Sequence, residues 1–221
     1  MLELGDLIKP AQEVLSPIGG TLGETWQALF GDRVAAWRLK NAIETQKRLH
    51  DELRKAGLAL NTSKIPERYA FAWFEEATKQ DEPEIQALFA RLLARAAAGE
   101  EDAADRRHLG TVGQMCPMDA RIFLQMFDAA TSKSDELPEW DYSDLEQLFE
   151  PDALAGFRSL EVLITLGLAI ETTTLEPIGA GGVSIDGSIN HYLARRLSST
   201  LSGLSLYRAV RQAPPPAKPT A

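Results

Sequence analysis

The sequence predicts a mainly α protein: a helical domain built around a central helical hairpin, followed by a small α+β unit. Three observations carry this prediction. Apolar residues recur at helical spacing from Tyr69 to Ala96. Pro66, Pro83, Gly57, Gly99 and Gly167 fall at the ends of periodic stretches, where helices start and stop. A β-branched run then appears between Ala169 and Leu175.

The elements follow in order. Residues 1–32 form an N-terminal segment in which apolar positions alternate with Pro10, Pro17 and Gly19-Gly20, predicting one or two short helices. Glu13, Glu24 and Asp32 lie here without a basic face, so packing against the body is expected rather than membrane-surface binding. Residues 33–57 read as a long amphipathic helix ending at Gly57. Its expected seam is Val34, Trp37, Asn41, Glu44 or Thr45, and Arg48 or Leu49. Arg38, Lys40, Lys47, Arg48, Arg54 and Lys55 make it an outer helix with a narrow buried stripe. Asn61-Thr62-Ser63 offers N-caps to the next helix, with Pro66 near its first turn.

That helix buries Tyr69, Ala70, Trp73, Phe74 and Ala77. After the polar break at 79–83, Ile85, Leu88, Phe89, Leu92, Leu93 and Ala96 repeat the pattern up to Gly99. So short a connection makes the pair an antiparallel hairpin, with Pro83 in the first turn of its second helix and Asp81 or Glu82 as cap. His108–Met115 is a further short helix, ended by Pro117. Asp119 opens the next one, whose inner face is Ala120, Phe123, Leu124 and Phe127. The helical domain thus spans 33–130, and polar residues 131–142 form a loop or boundary.

The α+β unit spans 143–211. Leu145 and Leu148 mark a short helix, and a longer one runs from Asp152 to Gly167. Ala169–Leu175 and Val183-Ser184-Ile185 are the strands of a hairpin turning at 179–182, and a final helix runs from about Gly187 to Arg211. Helices followed by a β-hairpin give a winged-helix-like layout. The Pro-rich tail, 212–221, buries nothing and is expected to be disordered.

The formal charge of −9 opposes non-specific attraction of the whole molecule to polyanions. Its distribution is uneven. Arg33–Arg68 holds nine Lys/Arg against four Asp/Glu, and Gly187 to the end holds five Lys/Arg and no acid. These basic segments are expected to pair with acids of the same protein. A single cysteine, Cys116, excludes an internal disulfide and a cysteine-based metal cluster. With no base nearby, Cys116 is expected to be a buried small hydrophobe. No apolar run reaches the roughly 18–20 residues of a membrane span, and the start lacks a signal peptide, so a cytoplasmic location is expected.

Catalytic signatures are missing. His50, His108 and His191 lie far apart without metal-ligand spacing. There is no phosphate-loop motif and no nucleophile elbow. The acids Glu75, Glu76, Asp81, Glu82 and Glu84 solvate a turn and favour a helix start rather than hold Mg²⁺. No catalytic residue, metal or cofactor is expected.

Four segments carry a family resemblance. They are Trp37-Arg38-Leu39-Lys40-Asn41; Ile65-Pro66 through Glu75-Glu76-Ala77 and Asp81-Glu82 to Leu88-Phe89-Ala90-Arg91-Leu92-Leu93-Ala94; Pro117-Met118-Asp119-Ala120; and Leu163–Leu168. In order and spacing they resemble the Abi-alpha (abortive infection) family over roughly residues 30–175. Phe89 stands where that family usually has tryptophan, and Cys116 where it often has serine. The resemblance implies bacterial antiphage defence by a non-catalytic sensor, regulator or effector, acting on a protein partner or through self-association. The alternative is a nucleic-acid-binding winged-helix regulator, with Arg195, Arg196, Arg208 and Arg211 on the last helix contacting phosphates. Against it, the recognition helix Ala153–Leu166 carries Arg158 as its only cation, flanked by Asp152 and Glu161.

Overall fold

The computed structural model describes residues 33–58, 64–130, 137–177 and 191–212. The short helices expected in 1–32, the caps at 61–63, the turn at 179–182, the strand at 183–185 and the Pro-rich tail fall outside these residues. The described residues are mainly helical, with eight α-helices and one three-stranded antiparallel sheet. The chain divides into two compact units, residues 1–120 with 208–221, and residues 121–207.

The first unit holds α1 (Arg33–Ala56), α2 (Glu67–Ala77), α3 (Pro83–Ala98), a 3₁₀ turn (Asp102–Ala104) and α4 (Arg106–Gly113). The expected hairpin is α2 and α3. Helix α3 is its centre because α1, α2 and α4 all pack on it. Ile85, Leu88, Phe89, Ala90, Leu92, Leu93, Ala94, Ala96 and Ala97 are all buried, and a helix apolar over most of its girth belongs inside. Trp73 of α2 is buried, and its indole N–H donates to the Phe89 carbonyl at 2.7 Å. Pro83 occupies the first turn of α3 as expected, whereas Glu82 and Pro66 precede their helices without any side-chain cap.

Two expectations for this unit are corrected. The buried seam of α1 runs through Leu39, Asn41, Ala42, Thr45, Gln46, Leu49 and Leu53, and Trp37 is 40% exposed. Asn41, Thr45 and Leu49 are buried as expected, Thr45 and Leu49 being chosen over Glu44 and Arg48, whose charges resist desolvation, and Trp37 is the residue that the expected seam misplaced. Cys116 is exposed. It is the residue before helix α5 (Pro117–Ala130), and its backbone N–H donates to the Asp119 carboxylate at 2.9 Å. This is half of a capping box, which leaves the side chain at the surface while Met115 and Ala120 are buried.

The second unit takes most of α5, then β1 (Glu139–Asp141), α6 (Tyr142–Leu148), α7 (Ala153–Thr165), β2 (Ala169–Pro177), β3 (His191–Ser199) and the start of α8 (Leu201–Val210). The strand order is β1-β3-β2, with Trp140 opposite Leu197, Ala169 opposite Ser199 and Pro177 opposite His191. An aromatic cluster forms the core. Phe127 stacks on Tyr207 at 5.1 Å and meets Trp140 edge-on at 5.3 Å. The Trp140 indole N–H donates to the Met126 carbonyl at 3.1 Å, and the Tyr207 hydroxyl to Asp128 at 2.6 Å. On the inner face of α5, Ile122, Phe123, Met126 and Phe127 are buried while Leu124 is only half-buried.

Here too the sequence reading needs correction. Glu139–Asp141, expected in a loop, is a strand that buries only Trp140 and is too short to show a period. The final helix starts at Leu201, not near Gly187, and residues 191–199 are β3. Thr200 sets this break: its hydroxyl accepts the Gly203 N–H at 2.9 Å, an N-cap bond that starts α8 afresh. Asp152 caps α7 in the same way, accepting from the Ala155 N–H at 3.1 Å. As expected, Gly57, Gly99 and Gly167 end their helices with φ of 66°, 91° and 71°, values side chains resist.

Candidate functional site

Two of the motif positions, Arg38 and Asn41, meet the connection between α2 and α3. Arg38 and Asn41 lie one turn apart on α1 and reach the C-terminal end of α2, whose last carbonyls lack helical partners. Arg38 donates from Nε to the Thr78 hydroxyl at 3.1 Å and from Nη2 to the Glu75 carbonyl at 3.2 Å. Buried Asn41 donates to the Thr78 carbonyl at 3.1 Å. A cation there also complements the negative end of the helix dipole. Gln86 of α3 completes the clasp, donating to the Gln80 carbonyl at 3.0 Å and accepting from Arg48 Nε at 3.2 Å.

The other motif residues serve the same scaffold. Leu88, Phe89, Leu92 and Leu93 are core. Glu75 and Glu76 pair with Lys79 at 3.8 and 2.9 Å. Pro117 and Asp119 start α5. Among the described residues no group of three or more His, Cys, Asp or Glu is placed to hold a metal ion.

The cations proposed for phosphate contact are divided between different elements and between the two units. Arg195 and Arg196 lie on β3, not on the last helix, and neighbours in a strand point to opposite faces. Arg195 pairs with Glu171 and lies 4.6 Å from the centre of the Tyr142 ring. Tyr142 stacks on Phe157 at 5.9 Å, and Phe157 meets Phe149 edge-on at 5.4 Å. The Arg195 hydrogen bond holds the Glu171 carboxyl below its ordinary range, while burial and then Glu171 push the Tyr142 phenol up. Arg196 lies 3.5 Å from Asp141. Arg208 and Arg211 are exposed and belong to the first unit. In the other basic segment, Lys47, Arg54 and Lys55 pair with Glu44, Asp51 and Glu52.

Helix α7 turns Leu154, Arg158, Glu161 and Thr165 outward, at spacings of one helical turn, and Leu154 is 65% exposed. This face holds one cation, one anion and an apolar side chain.

A buried polar cluster in the first unit escaped the sequence reading. Burial lowers the basicity of His108, with Asp105 and Asp102 acting in the opposite sense. Tyr69 is buried, its hydroxyl makes no hydrogen bond, and its pKa is pushed well up by burial and then by Asp105. Asp105 caps α4 through the Arg107 N–H at 2.9 Å, and hydrogen bonds from the Arg107 side chain hold its carboxyl low. Asp105 directly precedes a helix, which is the one local signal that pointed here.

The family model described as abortive infection alpha matches residues 38–191. Comparison with curated proteins and with solved structures gives no significant match. The matched stretch starts at the clasp residue Arg38, spans the whole hairpin and ends at the first residue of β3, covering well over half of the chain. The chain therefore belongs to the abortive infection alpha family.

Proposed function

We propose that this protein acts in bacterial antiphage defence, in the cytoplasm, as a non-catalytic sensor, regulator or effector that works through contacts with a protein partner or a second copy. Family membership supports the defence role. The protein-contact reading is carried by the outward face of α7, where exposed Leu154 lies beside one cation and one anion. Such a face suits another protein surface, whereas base and phosphate contacts draw on Arg and Lys. One observation favours the alternative. The element order α5-β1-α6-α7-β2-β3 with strand order β1-β3-β2 supports the winged-helix reading, a layout that serves both nucleic-acid and protein binding. The internal pairing of Arg195 and Arg196 weighs against it.

The test is phage plaque formation on cells expressing the wild type, Leu154→Asp or Arg208→Ala. Both substitutions are at exposed sites and should change stability by less than about 0.5 kcal/mol. Protection is expected from the wild type and from Arg208→Ala, and is expected to be lost in Leu154→Asp. The opposite pattern would transfer the role to nucleic acid. No protection by the wild type against a varied phage panel would remove the defence reading.

A further inference from the structure

A cavity of about 260 Å³ opens in the first unit, with Ala56, Leu58 and Ala94 as an apolar wall and Arg91, Arg95 and Arg211 as its cationic lining. Each guanidinium offers five N–H donors in a rigid fork. Arg91 is only 12% exposed, yet it makes one hydrogen bond, from Nη1 to the Val210 carbonyl at 3.2 Å. Its Nε is buried without an acceptor. The nearest carboxylate oxygen, Glu52 Oε2, is 3.6 Å away, and the other oxygen of Glu52 is taken by Lys55 at 3.1 Å. Arg95 makes two bonds, to Glu100 at 2.7 Å and to the Arg211 carbonyl at 3.1 Å. The Arg211 side chain is exposed and makes none among the described residues.

Buried guanidinium groups normally fill their donors, so a nearly buried arginine whose Nε has no hydrogen-bond acceptor, at the edge of a cavity, is an incomplete site. Glu52 and Glu100 line the cavity as well, and three arginines against two carboxylates leave it positive. We propose that the cavity binds a small anion rich in acceptor oxygens, a phosphate or phosphomonoester group, held by Arg91, Arg95 and Arg211. The planar forks match the phosphate oxygens, and the wall of Ala56, Leu58 and Ala94 accommodates an attached organic group. This site is independent of the defence reading and of the α7 face.

The experiment is calorimetric titration of the full chain at low ionic strength with inorganic phosphate and with adenosine 5′-monophosphate, against sodium chloride at matched ionic strength. Saturable binding of at least one phosphate probe is expected, weakened about tenfold or more in Arg211→Ala, the scale of one lost charge-assisted contact. Arg208→Ala, with a cation equally exposed but outside the cavity, should bind like the wild type. Arg91→Gln should also bind weakly. Should that variant fail to fold, Arg211→Ala still decides, because its side chain is exposed and makes no hydrogen bond among the described residues. Binding of the nucleotide alone would support the site and give the apolar wall its role. No saturable binding of either probe, or equal affinity in wild type and Arg211→Ala, overturns the proposal.

Discussion

Asn41 is 3% exposed in the seam of α1, a position where an apolar residue is the usual choice. Its amide is there to satisfy the Thr78 carbonyl at the end of α2, which would otherwise be buried without a partner. Replacing it by alanine leaves that carbonyl unpaired and should cost about 1–3 kcal/mol. Arg38 donates to the Thr78 hydroxyl and to the Glu75 carbonyl from a more exposed place, so Arg38→Ala should cost less, about 0.5–1.5 kcal/mol. Because both bind Thr78, the double variant should fall short of the sum or exceed it rather than add. Urea denaturation of the three variants checks this. Strict additivity would mean the clasp does not work as a unit. The sequence reading placed Asn41 in the seam by spacing and singled out both residues by the family motif, but not their partners, since which helix end a side chain reaches depends on packing between segments nearly 40 residues apart.

At the scale of elements, the join between α7 and α8 depends on a close approach that only glycine allows. A Cβ added at Gly203 would lie 2.1 Å from the Leu168 carbonyl oxygen, a backbone atom that cannot swing aside. Gly203→Ala should therefore destabilise the second unit by about 1–3 kcal/mol or more, as overpacking does. Ser202→Ala, at an exposed neighbour, should stay within about 0.5 kcal/mol of wild type. Equal denaturation midpoints for the two would refute the close approach. Nothing in the sequence marks Gly203, because the contact is with a residue 35 positions earlier. The same reason explains which elements were readable. Helices α2, α3 and α7 were legible because their apolar periods and stop signals are local. Strands β1 and β3 were not, because they exist by pairing: three residues from Glu139 carry no period, and Tyr192–Ser199 forms a strand against β2. Trp37 and Cys116 show the same limit within a helix and at its start. Helical spacing for Trp37 and the lack of a nearby base for Cys116 suggested burial, and the seam and the half capping box placed both at the surface.

For the whole molecule, two opposing effects decide how stability responds to acid. A net charge of −9 at neutral pH repels itself, and protonation on the way to the pI of about 4.9 relieves that repulsion, which favours the compact state. His108 acts the other way. Burial lowers its pKa below the ordinary 6.5, and Arg107 lowers it further, against the attraction of Asp105 and Asp102. A depressed folded pKa means that the unfolded chain takes up the proton first. The neutral imidazole thus contributes its full stability above pH 6.5, and that contribution is lost as pH falls from there through the folded pKa. One proton limits the slope to about 1.4 kcal/mol per pH unit. Asp105, whose carboxyl is held low chiefly by Arg107, loses its contribution only below its ordinary 3.8, outside this window. His108→Gln separates the two effects, since it removes the titration and leaves the net charge at pH 7.5 unchanged. Unfolding free energies measured from pH 7.5 to 5.5 should fall in the wild type relative to His108→Gln, so that the wild-type value minus the variant value decreases as pH drops. Parallel curves would show that His108 titrates alike in folded and unfolded chains, and that surface charge alone governs the acid response of this protein.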